Sequence, residues 1–456
     1  MMTTSWGKDA IFYHIYPLGL CGAPFQNDFN KPAVARLDAL HNWVDHIGAL
    51  GCNALYLGPL FESGTHGYDT ADYYKVDRRL GTNESLKDLI RKFHDKGIRV
   101  VLDGVFNHVG RDFWAFRDLL QHGTNSSYRD WFAGVDFKRK SPYGDAFAYE
   151  GWNGHHSLVK LNLHHPDVRA HLFDAVKMWI HEFKIDGLRL DAADVMDLGF
   201  LRDLATFCRQ HSSRFWLIGE VIHGDYRRWI NEGGLDATTN YECYKGLYSS
   251  HNDKNYFEIA YSLNRLFGEH GIYKDFPLYS FADNHDVNRI ASTLNNPAHL
   301  YPLYALLYTM PGTPSVYYGS EWGIEGRKEN GSDAALRPAL HLPEAREQAP
   351  HPELEKAIRQ FAHIRMEHPA LRLGNYRQAL VSSEQFAFTR QKEQEEVLVV
   401  VNAATTPVSL RIPLNKSDGT QLTDLLQPQQ KLKVQQGHVQ LNQLPACGVS
   451  ILLINQ

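Results

Sequence analysis

The sequence predicts an α/β fold: a (β/α)8 TIM barrel with an inserted irregular domain and a C-terminal antiparallel β-sandwich. Over the first two-thirds of the 456 residues, eight short apolar runs alternate with amphipathic stretches. Over the last part, short alternating runs follow one another without any long helical pattern. Eight parallel strands are the number that closes such a barrel. A doubly wound open sheet is the competing architecture, but the chain has no Gly-rich phosphate loop to support it.

The predicted elements of the barrel follow one another in a regular order. The strands are Ala10–Tyr16, Ala54–Leu57, Arg99–Asp103, Gly187–Asp191, Trp216–Glu220, Ala237–Asn240, Leu278–Asp283 and Ser315–Tyr317. The helices are Leu37–Leu50, Ser85–Lys96, Val168–Lys184, Leu198–Gln210, Tyr256–Glu269, Ala298–Tyr308 and Glu353–Glu367. This alternation is typical of a parallel βαβ series.

Two intervals depart from the alternation and define further domains. Residues 108–165 are rich in Gly, Asn, His, Trp and Tyr, and follow the third strand. A long excursion at the carboxyl end of a barrel strand is usually functional, so we interpret it as an insertion leaning over the active-site face. Residues 373–456 carry the alternating runs of a separate β-domain. The barrel itself is then formed by residues 1–107 and 166–372.

The composition is that of an ordinary globular protein and excludes several partner classes. The formal net charge of −5 and the pI near 6.6 give no electrostatic case for nucleic acid or an anionic membrane. No apolar run approaches membrane-spanning length. Aromatic residues make up 12% of the chain, and they either stack on sugar rings or, more commonly, fill a barrel core.

The cysteines and the N-terminus predict a cytoplasmic location. The five cysteines are odd in number and scattered without metal-ligand spacing, which favours reduced thiols. The first residues lack the charged-then-apolar layout of a signal peptide.

Four acidic residues close apolar runs, where barrel enzymes place their chemistry. They are Asp103, Asp191, Glu220 and Asp286. Any one of them alone is more simply explained as the N-cap of the next helix. Together they predict a rim of carboxylates that would repel one another without a cation such as Arg189 and donors such as His108 and His285. Retaining glycoside hydrolysis needs two such carboxyls roughly 5–5.5 Å apart.

Six segments in order resemble the motifs of the α-amylase superfamily of glycoside hydrolases. They are Gly67–Tyr74, Asp103–His108, Leu161–Asp167, Gly187–Asp191, Gly219–Val221 and Phe281–Asp286. The resemblance runs from about residue 11 to residue 338, and the trailing β-domain matches the C-terminal sandwich of that family.

The resemblance implies a role for each residue of the motifs. Asp191 is expected to be the nucleophile, Glu220 the general acid/base and Asp286 the stabiliser of the transition state. Sugar contacts are expected from Tyr68, which would stack, from His108 and His285, which would donate to hydroxyls, and from Asp69 and Arg289, which would fix the far edge of the ring. Arg189 shares the face of Asp191, because strand side chains alternate with period two, and its charge is expected to keep Asp191 ionised.

Other residues near the predicted site have structural alternatives. Asp103 either orients Arg189 or touches the substrate, and the sequence leaves both open. Asn107 is expected to tie the insertion to the barrel. Glu321 and Trp322, after the last strand, are candidates for the wall of a subsite on the leaving-group side.

The sequence departs from the family pattern at places that bear on metal and substrate. Many starch endo-amylases have Ala-Lys-His after the nucleophile, whereas this chain has Ala193-Asp194-Val195, which puts the acceptor and calcium contacts in doubt. His165 stands where an asparagine is usual. No Asp/Asn cluster resembles a calcium cage, so the metal stays unassigned, and the chemistry is expected to need no cofactor.

The segments Glu220–Gly224, Leu235–Tyr241 and Tyr317–Gly326 are similar to the cyclomaltodextrinase, neopullulanase and maltogenic amylase group. That group usually carries an N-terminal β-domain that builds a dimer. Here the first barrel strand is predicted from Ala10, so we expect that domain to be absent and leave the oligomeric state open.

The expected activity is hydrolysis of α-1,4 bonds in malto-oligosaccharides, cyclodextrins or starch. One alternative is transglycosylation through the same intermediate, and another is action on α-1,6 bonds or sucrose. A non-catalytic sugar-binding relative is a remote alternative, because such proteins tend to lose a catalytic acid and this chain has all three.

Overall fold

The computed structural model describes residues 6–455, and within them eight parallel strands form the barrel. The strands are Phe12–Ile15, Ala54–Leu57, Arg99–Gly104, Gly187–Leu190, Trp216–Gly219, Ala237–Thr238, Tyr279–Phe281 and Thr313–Tyr317. Each pairs in parallel with its neighbours in chain order, and the first pairs with the eighth. A single parallel bridge between Thr239 and Tyr279 joins the sixth strand to the seventh. The predicted barrel and all eight of its strands are therefore confirmed.

The interior of the barrel is filled by alternate residues of these strands. Phe12, Tyr56, Val101, Trp216 and Ile218 belong to one buried apolar cluster inside the ring. Two residues further along, the same inward-facing rows carry polar side chains, such as Asp103 after Val101 and Glu220 after Ile218. Because of the period of two, polar side chains follow the apolar core at the carboxyl ends of the strands.

Helices cover the outside of the barrel, and the predicted ones are present with shifted ends. They are His41–Ala49, Asn83–Asp95, Pro166–Met178 (continued by a π-helix, Trp179–Phe183), Leu198–His211, Phe257–Phe267, Leu300–Thr309 and Pro352–Glu367. The helix Tyr241–Asn252, capped by Asn240, was not predicted. Shorter helices are Pro17–Leu20, Trp114–His122, Ile290–Thr293, Leu342–Glu347 and Pro369–Leu373.

Two additions lie on the carboxyl side of the barrel. An antiparallel hairpin, Phe61–Ser63 with Thr70–Val76, follows the second strand. The insertion after the third strand contains a small antiparallel sheet of His108–Gly110, Gly151–Trp152 and His155–Lys160. The turn that joins the last two strands has Asn153 and Gly154 at positive φ, 47° and 80°, as tight hairpins require.

The C-terminal domain is an antiparallel sheet wrapped around its own apolar core. Its described strands are Asn375–Val381, Gln385–Lys392, Glu395–Asn402, Val408–Pro413, Gln421–Asp424, Lys431–Gln435, His438–Leu444 and Val449–Ile454. The second, third, fourth, sixth and eighth of these contain the alternating runs of the sequence, which are Gln385–Thr389, Val397–Val401, Val408–Ile412, Lys431–Val434 and Val449–Leu453. The other three were not predicted.

Candidate active site

Arg189 is the centre of a buried cluster of carboxylates at the ends of the strands. Its Nη1 donates to Asp103 Oδ1 at 3.0 Å and to Asp191 Oδ1 at 2.9 Å, and its Nη2 lies 2.7 Å from Glu220 Oε1. One planar guanidinium therefore holds three carboxylates from three neighbouring strands. Asp191 and Glu220 contact the two Nη atoms of the same group, so their carboxyl groups lie close together.

The residue after Asp191 fixes Glu220 through the backbone. Ala192 has φ of 48°, a left-handed conformation that is uncommon for a residue with a Cβ. In this conformation its N–H donates to Glu220 Oε2 at 2.9 Å. The strained turn after the fourth strand thus orients the carboxyl group at the end of the fifth.

Asp286 lies across the cavity and is held by different partners. Its Oδ1 accepts from Arg337 Nη2 at 3.0 Å, and its Oδ2 lies 2.9 Å from His285 Nε2. Burial alone would raise the pKa of Asp286, but His285 and Arg337 outweigh it and hold that pKa well below its ordinary value. His285 and Arg337 therefore favour the ionised form of Asp286.

Two tyrosines link these clusters beneath the cavity. The hydroxyls of Tyr56 and Tyr68 donate to Asp103 Oδ2 at 2.7 and 3.0 Å. The Tyr68 hydroxyl also contacts His285 Nε2. Asp103 is thus saturated by Arg189 and two hydroxyls, and it does not line the cavity. Of the two alternatives for Asp103, this placement favours orienting Arg189.

His108 faces Asp191 from the insertion side. Its Nε2 lies 3.8 Å from Asp191 Oδ2 and has no hydrogen-bond partner in the described part of the chain. Burial lowers the pKa of His108 to about 3, so the ring is neutral. Asn107 lines the cavity beside it, and its carbonyl accepts from Leu161 N at 3.0 Å, which joins the two ends of the insertion.

Burial raises the pKa of both Asp191 and Glu220. Arg189 opposes this shift in both groups, and the charge of Asp286 reinforces it. Arg189 favours the ionised form of Asp191, as expected, while burial and the neighbouring carboxylates raise the pKa of Asp191. The two carboxyls share Arg189 and hold a proton between them to higher pH than free carboxyl groups do.

These residues surround a cavity of about 1450 Å³. Asp191, Glu220 and Asp286 lie in its wall together with Tyr68, Asn107, His108 and Arg337. Its volume exceeds the roughly 300–1,000 Å³ of common small-molecule pockets, so the space suits a ligand of several rings.

The comparisons with known proteins agree with this geometry. Residues 25–365 match the model of the alpha amylase catalytic domain, and residues 378–451 match that of the maltogenic amylase C-terminal domain. The chain belongs to the α-amylase family. It is a glycosidase of that family, as its motifs predict.

Three relatives define its place among α-amylase family members. A cyclomaltodextrinase from Bacillus sp is 32% identical over 87% of this chain and 73% of its own length. An intracellular maltogenic amylase from Bacillus subtilis is 27% identical over 71% of this chain and 57% of its own length. A cyclic alpha-maltosyl-(1→6)-maltose hydrolase from Arthrobacter globiformis superposes with a TM-score of 0.81 at 27% identity, covering 99% of both chains.

Two expectations drawn from the family resemblance, for Arg289 and Asp69, are wrong in this structure. Arg289 is 0% exposed, lies behind the wall of the cavity, and donates to Tyr318 O at 2.6 Å. Asp69 accepts from Thr65 Oγ1 at 2.8 Å and from Gly67 N at 3.2 Å, so it holds its own loop. Neither residue lines the cavity.

Glu321 and Trp322 do not line the cavity either. Both are fully buried. Glu321 Oε1 accepts from Tyr13 OH at 2.6 Å and lies 2.8 Å from His46 Nε2. They belong to the packing between barrel and helices and form no wall of a subsite.

Arg337 and Asp333 line the cavity, and neither was predicted from the sequence. Arg337 Nη2 bridges Asp286 and Asp333, the latter at 2.9 Å. The signal was an acid and an arginine four residues apart just beyond the last strand. It was missed because four residues is also the spacing of an ordinary helical ion pair.

The remaining observations concern metals and membranes. Among residues 6–455, no three His, Cys, Asp or Glu side chains are grouped so that they could hold a metal ion. Within the same residues, no helix is both long and apolar enough to cross a bilayer.

Proposed function

We propose that this glycosidase cleaves α-1,4 bonds of malto-oligosaccharides and cyclodextrins by a retaining mechanism, with Asp191, Glu220 and Asp286 as its catalytic residues. The observation that carries the proposal is the bridge from one guanidinium, that of Arg189, to both Asp191 and Glu220. This bridge brings a nucleophile and an acid to one face of the cavity with one proton between them.

The first step forms a covalent intermediate. Asp191 attacks the anomeric carbon, and the bond from that carbon to the glycosidic oxygen breaks as Glu220 gives its proton to the leaving oxygen. In the second step Glu220 takes a proton from water, the resulting hydroxide attacks the anomeric carbon, and Asp191 leaves as a carboxylate. All protons come from Glu220 and water, and each step uses side chains of this chain alone.

The other residues of the cavity bind the reacting sugar. Asp286 is held as an anion by Arg337 and His285, which suits it to stabilise the positive charge of the oxocarbenium-like transition state. The neutral ring of His108 is placed to donate to a hydroxyl of the sugar. Tyr68, whose hydroxyl is already bound to Asp103, presents its ring as a stacking surface.

The proposed substrates are oligosaccharides rather than single sugars. Two of the relatives named above are enzymes of cyclic glucans, and the cavity has room for several rings. Transglycosylation remains the alternative in which a sugar hydroxyl replaces water in the second step. The linkage in the name of the Arthrobacter enzyme makes α-1,6 bonds the second candidate.

We place the protein in the cytoplasm. All five of its cysteines are free thiols, and one relative is named an intracellular enzyme.

The test is a product profile by chromatography from β-cyclodextrin, pullulan, soluble starch and sucrose in parallel, with Glu220→Gln as the blank. We expect rapid loss of the cyclodextrin with maltose and glucose accumulating. Starch cut to mixed oligomers while the rings survive would make the chain an endo-amylase. Turnover that Glu220→Gln leaves intact would refute the assignment of the carboxylates.

A further inference from the structure

The loop after the first barrel strand presents an aromatic side chain to solvent at the rim of the cavity. Phe25 is 66% exposed and lines the cavity. A single exposed apolar side chain is unremarkable in itself. What distinguishes Phe25 is the rigidity with which its backbone is held.

A buried ion pair clamps the backbone of Phe25. Arg79 Nη1 donates to the carbonyls of Pro24, Phe25 and Thr65 at 3.0, 2.7 and 2.7 Å. The same guanidinium pairs with Asp77, its Nη2 lying 2.7 Å from Asp77 Oδ2. The side chains of Arg79 and Asp77 are only 4% and 0% exposed. Such a pair is costly to bury, and it is expected to hold the groups around it in one arrangement.

Asn27 adds a second clamp two residues further on. Its N–H donates to Gly64 O at 2.9 Å, and its side-chain Nδ2 donates to Ser63 O at 2.8 Å. The hairpin after the second strand therefore fixes the loop after the first. A ring presented on such a loop loses little conformational entropy when a ligand stacks on it.

The position of Phe25 in the cavity follows from a chain of contacts. Arg79 joins it to Thr65, which precedes His66, and the carbonyl of His66 accepts from Tyr16 OH at 2.6 Å. The guanidinium of Arg337, which binds Asp286, lies 4.5 Å above the Tyr16 ring. Phe25 thus extends the Asp286 side of the cavity.

The leaving group occupies the side of the cavity opposite Phe25, where Glu220 lies. Ile222, two residues after Glu220, and Val195, four residues after Asp191, line the cavity there. Glu220 protonates the leaving oxygen, so the sugars that depart lie on its side. The sugars retained in the intermediate, on the non-reducing side of the cleaved bond, extend toward Phe25.

We propose that the ring of Phe25 is a stacking platform for a glucosyl unit on the non-reducing side, beyond the sugar that reacts. This inference rests on the proposed function and adds to it the residue that selects longer substrates. Aromatic faces bind the apolar faces of pyranose rings, and the clamped loop holds this face in place before the substrate arrives.

The test compares Phe25→Ala and Phe25→Tyr with Phe257→Ala as matched control. Phe257 is 51% exposed on the helix Phe257–Phe267 and does not line the cavity. The measurements are kcat/KM for maltohexaose and the inhibition constant of a glucose-configured iminosugar, a single ring that fills only the reacting position.

We expect Phe25→Ala to lower kcat/KM for maltohexaose by about three- to tenfold, mainly through KM, and to leave the inhibition constant unchanged. Phe25→Tyr should restore the wild-type value, and Phe257→Ala should have no effect. An unchanged kcat/KM in Phe25→Ala, or an equal loss in Phe257→Ala, would overturn the inference while leaving the proposed function standing. If the wild-type protein does not turn over maltohexaose, the proposed function fails and the inference fails with it.

Discussion

At the scale of single residues, the site depends on which charges the cavity stabilises. Asp286 has two cationic or donating neighbours of its own, His285 and Arg337. Asp191 and Glu220 must share the single cation Arg189. A carboxyl group therefore ionises more easily at the position of Asp286 than at the positions of Asp191 and Glu220. This difference separates the carboxylate that stays ionised from the groups that exchange a proton.

The first prediction concerns the pH dependence of catalysis. The active form carries one proton on the Asp191–Glu220 pair, so kcat/KM falls at low pH, where both groups are protonated, and at high pH, where both are ionised. Burial raises the pKa of both, so each limb is expected above the ordinary carboxyl values of about 3.9 and 4.3. The profile of kcat/KM against pH at constant ionic strength tests this. An acid limb below about pH 3.9 would contradict it.

The second prediction separates Arg337 from Arg289. Arg337→Met removes a charged hydrogen bond from Asp286, and we expect kcat/KM to fall by about ten- to a hundredfold. Arg289→Met removes a buried bond to the carbonyl of Tyr318, and we expect a lower melting temperature with KM unchanged. Steady-state kinetics and thermal unfolding of both variants check this. A changed KM in folded Arg289→Met would restore Arg289 to the site.

Strand periodicity placed one group of the site residues, and the family motifs placed Tyr68, His108, His285 and Asp286. Asp103, Arg189, Asp191 and Glu220 lie at or just beyond strand ends, where the period of two fixes the face of each side chain. Arg337 and Phe25 lie in loops, where no period applies. Their place in the cavity depends on contacts with Asp286 and Arg79 that are distant in the sequence.

At the scale of elements, the hairpin after the second strand is a support for its neighbours. Asp77 and Arg79, directly after its second strand, bind the loop that follows the first barrel strand, and its connecting turn supplies Tyr68 and His66 to the cavity. The sequence identified this segment by its motif but predicted no hairpin, because its strands are short and rich in polar residues. The helix Tyr241–Asn252 was missed for a related reason: its tyrosines, serines and asparagine are weak helix formers.

The third prediction concerns this support. Arg79→Met leaves Asp77 buried without its partner, and we expect the free energy of unfolding to fall by about 3–5 kcal/mol. The matched control is Arg91→Met, whose pair with Asp88 is exposed at both side chains and should contribute about 1 kcal/mol or less. Urea unfolding measures both. Equal losses in the two variants would show that burial of the Arg79–Asp77 pair does not increase its contribution to the free energy of unfolding.

At the scale of the whole molecule, the C-terminal domain shares a core with the barrel. Phe386, Phe388 and Val399 of its sheet belong to the same buried cluster as Leu303 and Leu307 of the barrel helix Leu300–Thr309. Arg390 Nη1 donates to the carbonyl of Thr309 at 2.7 Å, at the end of that helix. The sequence separated the two domains by their patterns but could not show this joint core, because a shared interface leaves no periodic signal.

The fourth prediction is that the two domains unfold together. All nine tryptophans lie at or before residue 322, so their fluorescence reports on the barrel and its insertion. Hydrogen exchange of Glu395–Asn402 reports on the C-terminal sheet. We expect both signals to change at the same urea concentration, because neither domain can bury its part of the shared core alone. Exchange of the C-terminal strands at lower urea would contradict this.

The closure of the barrel determines where its strands can separate most easily. The ring is joined between its sixth and seventh strands by one bridge, where Asn240 N donates to Tyr279 O at 2.8 Å. This seam lies between the strand that ends at Glu220 and the one that leads to Asp286. We expect the strands to separate most easily at this seam, which would widen the gap between Glu220 and Asp286 and loosen a bound sugar for release.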